Sequence, residues 1–469
     1  MSRIKPITAS LLSLLVLAGC GSTSDKSDPT TLNVILYDAG WGHEWFDDVI
    51  AKWEADNPGY KVNLTAKYDV KTLINRHITS KNNTDDLYIN TDSGWRNYAY
   101  QGYFAPLDDL LSEEVDGVTV ENKINDEFQD TLKMNVEKEE HTYRLPWTSG
   151  IGGIYYNAKM FRDNNWKVPT TTKELSELVT NILENPVEVA GSDTEAVKPF
   201  VFTGDNTDYF DYGIFNWWLQ KAGYDKVKEF YQYASADNFN YKTEGSAYES
   251  LYQVVKYWKS LFTDKTLSSG DTVSTYVGGS LSYTNHQAQT DFFNGKAAMM
   301  FNGDWLYNET LQYGTNENFE LQLMKMPTFE GAKETDVSYV IGSDQYIAIP
   351  ASSKKQDLAK SLIKTMISDW SLSNFTNKSH GFLAYKNGNT SAIDTSVSYV
   401  SSYLNVRNSI KKATTDDSKS DAFLNGYVSN AYVTSSNRPF AGLLQQSSLT
   451  VEDCFDTIYK SAQSVYQRM

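Results

Sequence analysis

The sequence predicts an α/β protein with two domains, each built on a mainly parallel sheet flanked by helices. Residues 31–90 alternate strand and helix patterns, the order typical of a parallel sheet with helices packed on it. About 440 residues follow Thr30, more than one hydrophobic core usually serves, so we expect two domains.

The first domain begins with three strands separated by two amphipathic helices. The first helical pattern ends at the Asn-Pro-Gly sequence of residues 57–59, which stops a helix and starts a turn. Ligands of such sheets bind beyond the carboxyl ends of the strands, here the loops at 38–42 and 91–97. The predicted elements are strands over 32–37, 60–66 and 86–90, and helices over 45–53 and 70–78.

Later segments repeat the alternation of buried strands and amphipathic helices. A polar stretch at 413–421 (ATTDDSKSD) is typical of an exposed loop. The predicted elements are strands over 151–156, 297–301 and 345–349, and helices over 172–183, 248–261 and 357–367.

The amino terminus has the pattern of a secretory signal. Arg3 and Lys5 precede an apolar stretch over 7–18, which is too short to span a bilayer as a helix. The following Leu-Ala-Gly-Cys resembles a bacterial lipobox, in which Cys20 receives a thioether-linked lipid and becomes the new terminus. We therefore expect a signal peptide over 1–19 and a lipid-anchored polar tether over 20–30. The alternative is an ordinary signal peptide followed by a chance cysteine.

The charge and the aromatic content narrow the possible partners. The net charge of −17 becomes −19 when residues 1–19, with two basic and no acidic side chains, are removed. Such a charge excludes nucleic acid and anionic lipid as partners, because both are bound through Lys and Arg. Once Cys20 is lipidated only Cys454 remains, so no internal disulfide can form. The 11 Trp, 32 Tyr and 21 Phe exceed what a core of this size needs and indicate stacking surfaces.

Enzyme and metal motifs are incomplete in this sequence. The sequence HEWFD begins like the zinc motif HExxH but ends in Asp47, so the second imidazole is missing. The glycines of 149–153 precede a predicted strand and open no helix, so they make no phosphate site. The segment 278–282 lacks the last glycine of a nucleophile elbow. No catalytic residue, metal or cofactor is predicted.

One long motif and several shorter ones together point to a family. The stretch FFNGKAAMMFNGDW, from Phe292 to Trp305, resembles the pattern F-x-x-G-K-A-A-M-x-x-x-G-x-W of extracellular solute-binding proteins of carbohydrate ABC importers, the family of the maltodextrin-binding protein. Further fragments similar to that family occur in its order: WEADNPGY at 53–60, DLYIN at 86–90, QGYFAPL at 101–107, YRLP at 143–146, YYN at 155–157, MKMP at 324–327 and IAIP at 347–350.

This resemblance implies a two-lobe, periplasmic-binding-protein-like fold of class II. Hinge crossovers join the lobes, and the ligand lies in the cleft between them. The implied domains are an N-terminal lobe of residues 31–146 and 296–340 and a C-terminal lobe of 147–295 and 341–469. The implied function is capture of a sugar and its delivery to the membrane subunits of an ABC importer. We expect a monomer on the outer face of the cell membrane of a Gram-positive organism, touching the membrane only through the lipid on Cys20.

A sugar site needs flat aromatic rings for the C–H face of the sugar and polar groups for its hydroxyl edge. Aromatic residues on loops are the best candidates, and core packing is the alternative for each of them. For the polar groups, a helix cap or turn is the alternative. The predicted stacking residues are Trp41, Trp95, Trp147, Trp217, Trp218 and Trp305, and the predicted edge partners are Asp38, Asp92, Asp304, Asp344 and His380.

Two other functions remain open from the sequence. The same fold could bind a polyamine, a peptide or a metal ion. A lipid-anchored glycoside hydrolase or lyase would also use an aromatic cleft, but it needs a pair of carboxylates about 5–9 Å apart, and no pair stands out. The chain length and the aromatic content favour an oligosaccharide over a monosaccharide.

Overall fold

A computed structural model describes residues 28–92, 94–341, 345–414, 439–446 and 448–467. No helix within those residues is long and apolar enough to cross a membrane. Cys20 and the predicted signal peptide lie outside them, as does Asp344.

The first part of the chain has the predicted order of strands and helices. Strand β1 is mostly apolar and buries Leu32 and residues 34–36, and helix α1 buries the predicted face that carries Trp45 and Trp53. Asp69 caps α2 by accepting a hydrogen bond from the Thr72 amide. The elements are β1 (Thr31–Tyr37), α1 (Glu44–Asp56), β2 (Lys61–Lys67), α2 (Val70–Ile78), β3 (Leu87–Thr91), α3 (Trp95–Tyr100), α4 (Asp108–Leu111), β4 (Glu114–Val115), β5 (Val118–Thr119), α5 (Val120–Lys123), a 3-10 helix (Asp126–Thr131), β6 (Met134–Val136), β7 (Glu139–His141) and β8 (Leu145–Pro146).

The middle of the chain is richer in helix. Helix α8 is buried on nearly every side, which explains its weakly amphipathic sequence. The elements are β9 (Gly150–Ile151), β10 (Gly153–Asn157), α6 (Ala158–Asp163), α7 (Thr172–Glu184), β11 (Lys198–Phe200), α8 (Tyr209–Ala222), α9 (Tyr224–Phe230), a 3-10 helix (Ala236–Phe239), α10 (Ala247–Leu261), β12 (Lys265–Thr266), β13 (Thr272–Val273), a 3-10 helix (Ser280–Ser282), α11 (Asn285–Phe293), β14 (Ala297–Asn302), α12 (Leu306–Leu311), β15 (Leu321–Leu323) and β16 (Val337–Ile341).

The last part of the chain contributes to both lobes. Helices α13 and α14 pack on α1, whereas α15 packs on β15 and α17 packs on α10. The elements are β17 (Gln345–Ala348), α13 (Gln356–Met366), α14 (Asp369–Ser379), a 3-10 helix (Thr390–Ala392), α15 (Ser398–Asn408), β18 (Lys412–Thr414), α16 (Pro439–Gln445) and α17 (Val451–Tyr466).

Each lobe is built on one larger sheet. The first lobe has the strand order β2-β1-β3-β17-β8, in which β1, β2 and β3 run parallel and β17 runs antiparallel to both neighbours. The second lobe has the order β11-β14-β10-β15, in which only β11 and β14 are parallel. The two-lobe α/β architecture is confirmed, but both sheets are mixed where mainly parallel sheets were expected. In the first sheet β17 runs against both neighbours, and in the second β10, which enters directly from the hinge, runs against β14 and β15.

The predicted lobe boundaries are wrong for two segments. Residues 296–340 were assigned to the first lobe, but β14 pairs with β10 and β11 in the second. Residues 341–469 were assigned to the second lobe, but β17 pairs with β3 and β8 in the first. The alternation of apolar residues identifies a strand without identifying its neighbour, so the sheet to which a returning strand belongs is not fixed by its own pattern.

A small third sheet lies at the junction of the lobes. Strand β16 pairs with β9, which directly follows the first crossover, and with β18. The amide of Ile151 in β9 donates to the hydroxyl of Tyr403 in α15 at 2.9 Å, which ties the crossover to the second lobe.

Candidate functional site

The two lobes meet through a pair of tryptophans. Trp41 lies in the loop after β1, and Trp305 caps the amino end of α12 in the short turn after β14. Their ring centroids are 5.7 Å apart and the ring planes are nearly perpendicular, at 85°. Edge-to-face contact is a favourable arrangement for aromatic rings. Both were predicted as stacking residues, and the structure brings them together at the cleft.

Two tyrosines of α8 complete the aromatic surface around Trp305. The ring centroids of Tyr209 and Tyr212 lie 5.7 and 5.9 Å from that of Trp305, and the two tyrosines stack on each other at 5.5 Å. Gly152 leaves room for Tyr212, because a Cβ at that position would lie 2.5 Å from its ring. We call Trp41, Trp305, Tyr209 and Tyr212 the cleft cluster.

The backbone of the β1 loop also contacts the second lobe. The side-chain amide of Asn308 donates to the carbonyl of Gly40 at 2.7 Å. A Cβ on Gly40 would lie 2.7 Å from the Cβ of Trp305 and 2.8 Å from the carboxylate of Glu309. The lobes are therefore closed on each other here, and the close approach requires glycine.

Two acidic side chains lie beside the cleft cluster. The carboxylate of Asp38, at the end of β1, is 3.0 Å from the Nδ1 of His43 and is partly exposed. Glu309, on α12, accepts a hydrogen bond from the Gln289 side chain at 2.5 Å, and burial raises its pKa to about 7. Glu309 was not predicted, since no motif distinguishes it from the other acids of the sequence.

Asp304 lies beneath the cleft, at the junction of the lobes. Its side chain is fully buried, and one carboxylate oxygen accepts a hydrogen bond from the Phe382 amide at 3.3 Å. Its own carbonyl accepts from the hydroxyl of Tyr399 at 2.9 Å. Burial raises the pKa of the Asp304 carboxyl to about 7. These contacts give Asp304 a place in the hinge region, next to the predicted site.

His380 lies next to the same junction. It ends α14 in a left-handed conformation, and its ring centroid is 4.6 Å from that of Tyr307 in the second lobe. Burial lowers the pKa of the imidazole, which keeps the ring neutral near pH 7. A neutral ring can both donate and accept a hydrogen bond.

Four predicted stacking tryptophans lie in cores. Trp217 and Trp218 are fully buried, and their indole N–H groups donate to the carbonyls of Pro327 and Ala247. Their assignment to a ligand surface is wrong, because α8 is buried on both of the faces that these residues occupy. Trp147 packs between Trp45 and Phe375, with ring centroids 4.9 and 5.8 Å away, and lines a small cavity together with Trp41.

Trp95 is the fourth of these tryptophans, and its role as a stacking platform is also wrong. The guanidinium groups of Arg96 and Arg144 lie 4.4 and 4.6 Å from its ring centroid, and the side chain is buried. Asp92, before it, is buried too and pairs with Lys71 at 3.1 Å. Trp95 and Asp92 are therefore already occupied by cation–π and ion-pair contacts within the protein.

No group of three or more His, Cys, Asp or Glu side chains in the described part of the chain is placed to hold a metal ion. His43 instead pairs with Asp38, as described above.

Known proteins share both the sequence pattern and the fold. The family model described as "Bacterial extracellular solute-binding protein" matches residues 39–369. The "Multiple sugar-binding protein" of Streptococcus mutans is 24% identical over 323 residues, which cover 68% of this chain and 66% of that protein's length.

Solved structures reproduce the fold over nearly the whole chain. Apo RafE from Streptococcus pneumoniae has a TM-score of 0.66 at 15% identity, covering 93% of this chain and 97% of its own. The GacH receptor of Streptomyces glaucescens, solved unliganded and with acarbose, has a TM-score of 0.64 at 16% identity, covering 93% and 98%. The family expected from the motifs is thus confirmed by a match to more than half of the chain. This protein belongs to the bacterial extracellular solute-binding proteins.

Proposed function

We propose that the protein captures a sugar, most simply an oligosaccharide, in the cleft between its lobes and delivers it to an ABC importer. The observation that carries the proposal is the cleft cluster, in which Trp41 of the first lobe contacts Trp305 of the second, and Tyr209 and Tyr212 surround Trp305. Aromatic faces suit the C–H face of a sugar ring, and the flanking Asp38, Glu309 and His380 offer partners for hydroxyl groups.

Relatives with related folds support a carbohydrate ligand. The matched streptococcal protein is described as binding multiple sugars, and GacH was solved with acarbose, a saccharide analogue. The sugar-binding relatives and the aromatic cleft both support a carbohydrate ligand. A polyamine, a peptide or a metal ion is therefore the less favoured alternative.

The activity is binding and transport. A ligand that contacts Trp41 of the first lobe and Trp305 of the second touches both lobes at once, so it favours the closed form over an open one. Hinge closure of this kind is a common response of two-lobe receptors to ligand. The importer's membrane subunits would then recognise the closed form and receive the sugar.

A lipid on Cys20 would hold the receptor near its transporter. Residues 21–30 are polar, so they form a linker between the lipid and the folded protein that buries no apolar surface. The location is then the outer face of the cell membrane, most simply in a Gram-positive organism. Expression of Cys20→Ala in a Gram-positive host tests this: the variant should be shed into the medium, while wild type stays with the membrane. Wild type that is shed equally contradicts the anchor.

A thermal-shift screen tests the proposed function. The panel contains mono- and oligosaccharides together with polyamines and short peptides. A ligand that binds only the folded protein stabilises it by about 2.7 kcal/mol when the ligand concentration is one hundred times the Kd. The melting temperature rises as a result. We expect shifts from saccharides alone. A shift from spermidine or a peptide, with none from any saccharide, overturns the sugar proposal.

A further inference from the structure

Tyr68 presents an aromatic ring to solvent beside the cleft. It is 75% exposed, more than any other large hydrophobic side chain in the described residues. It directly follows β2 and precedes Asp69, the residue that caps α2. A single exposed aromatic is ordinary on a protein surface, so its neighbours decide what it can do.

The backbone on both sides of Tyr68 is fixed. Lys67 pairs with Tyr37 in the parallel register of β2 and β1, and its carbonyl accepts a hydrogen bond from the Asp38 amide at 2.9 Å. On the other side, the Asp69 carboxylate holds the first turn of α2. A ring on such a fixed backbone loses little entropy when a ligand stacks on it, because only two side-chain torsions remain.

One side of the Tyr68 ring rests on a second tyrosine that leads into the cleft. The ring centroids of Tyr68 and Tyr37 are 5.9 Å apart, at 42°. Tyr37 lines a small cavity together with Trp41 of the cleft cluster. Aromatic side chains therefore lead from solvent at Tyr68, through Tyr37, to Trp41 and its partner Trp305.

We propose that Tyr68 is an outer stacking platform for a further unit of an oligosaccharide whose inner unit lies at the cleft cluster. This rests on the proposed function and adds to it: the ligand runs out of the cleft past the carboxyl ends of β1 and β2. The protein then binds longer oligosaccharides more tightly than shorter ones. A tyrosine suits the role, since its face takes the C–H surface of a sugar while its hydroxyl stays in water.

Affinities of Tyr68→Ala along two saccharide series test the platform. The probes are maltose to maltohexaose, and melibiose, raffinose and stachyose, measured by titration calorimetry. For the longest saccharide that wild type binds well, we expect the affinity of the variant to be about fivefold weaker, because one stacking contact is lost. The affinity for the disaccharide should be unchanged. Tyr68→Phe should keep wild-type affinity, since the ring face remains.

Tyr60→Ala is the matched control. Tyr60 is a 39% exposed tyrosine at the opposite end of the same strand, packed on Trp53 with ring centroids 6.3 Å apart. It should leave every affinity unchanged. Melting temperatures without sugar should agree between wild type and Tyr68→Ala, which separates stacking from support of α2.

The outcomes separate the platform from the function. Equal loss for short and long saccharides, or no loss at all, overturns the platform and leaves sugar capture standing. The platform is also overturned if, in both series, wild type binds every longer saccharide no more tightly than the disaccharide. Wild type that binds no saccharide of the wider panel overturns the proposed function itself.

Discussion

The indole ring of Trp41 meets that of Trp305 edge to face, at 5.7 Å, although the two residues belong to different lobes. Each lobe therefore supplies half of the aromatic surface, and neither half is complete without closure. Trp305 is half-buried and reaches the hydrophobic core of the first lobe through this contact. Because Trp41 and Trp305 meet only when the lobes close, this pair couples ligand binding to lobe closure.

Replacement of Trp305 by alanine should weaken sugar binding by roughly tenfold or more, because the central aromatic face of the cleft is lost. The melting temperature without ligand should change little, since Trp305 packs between the lobes and not inside one core. Titration calorimetry with the best saccharide of the screen measures the effect. Trp370→Ala, at a 42% exposed tryptophan, serves as the control and should bind normally. Unaltered affinity in Trp305→Ala would remove that residue from the site.

Substitution of Gly40 by valine should hold the lobes apart. A side chain there would meet Trp305 and Glu309 at 2.7 and 2.8 Å, closer than carbon atoms pack in proteins. Small-angle X-ray scattering with saturating saccharide should give a larger radius of gyration for Gly40→Val than for wild type, together with weaker binding. Gly278→Val is the matched control, because no atom lies within 4 Å of its Cβ position. Full closure of Gly40→Val with sugar would contradict this account.

Removal of Glu127 should destabilise the protein by about 3 kcal/mol, because it leaves a buried guanidinium without its partner. One carboxylate oxygen of Glu127, in the 3-10 helix of the first lobe, accepts from Arg407 of α15 and from Ser149, each at 2.6 Å. Urea unfolding of Glu127→Ala measures the loss. Lys52→Ala breaks an exposed pair with Asp56 and should change the free energy of unfolding by less than about 1 kcal/mol. Equal effects of the two variants would show that the buried pair has no special role.

Sequence patterns predicted the elements and the family but only part of the site. Trp305 was identified because it stands at a fixed place in a long motif, and Trp41 because it follows a strand of a parallel sheet. Tyr209 and Tyr212 were missed, since a spacing of three among 32 tyrosines is not distinctive. Their role depends on Gly152, which lies far away in the sequence and lets Tyr212 approach the crossover.

The incorrect predictions have a common physical origin. Trp95 looked like a loop residue, but Arg96 and Arg144 cover its ring, and Arg144 lies 49 residues away in the sequence. Strands β14 and β17 were recognised as strands and placed in the wrong lobes, because pairing is decided by the path of the chain and not by the local pattern. Long-range contacts of this kind are not visible in a single sequence.

Replacement of Asp304 by asparagine should stabilise the protein at pH 8 relative to wild type, and have much less effect near pH 4. Burial raises the pKa of the carboxyl from 3.8 to about 7, so the folded protein holds a proton that the unfolded chain has released between those values. Wild-type stability from this group therefore falls as the pH rises from about 4 to 7, and stays low above 7. Asparagine cannot ionise, and its side-chain oxygen can still accept from the Phe382 amide. Melting temperatures of both proteins across pH 4 to 8 measure the difference between them. A difference that shrinks with rising pH would show that Asp304 is ionised in the fold and that its carboxylate is stabilised there.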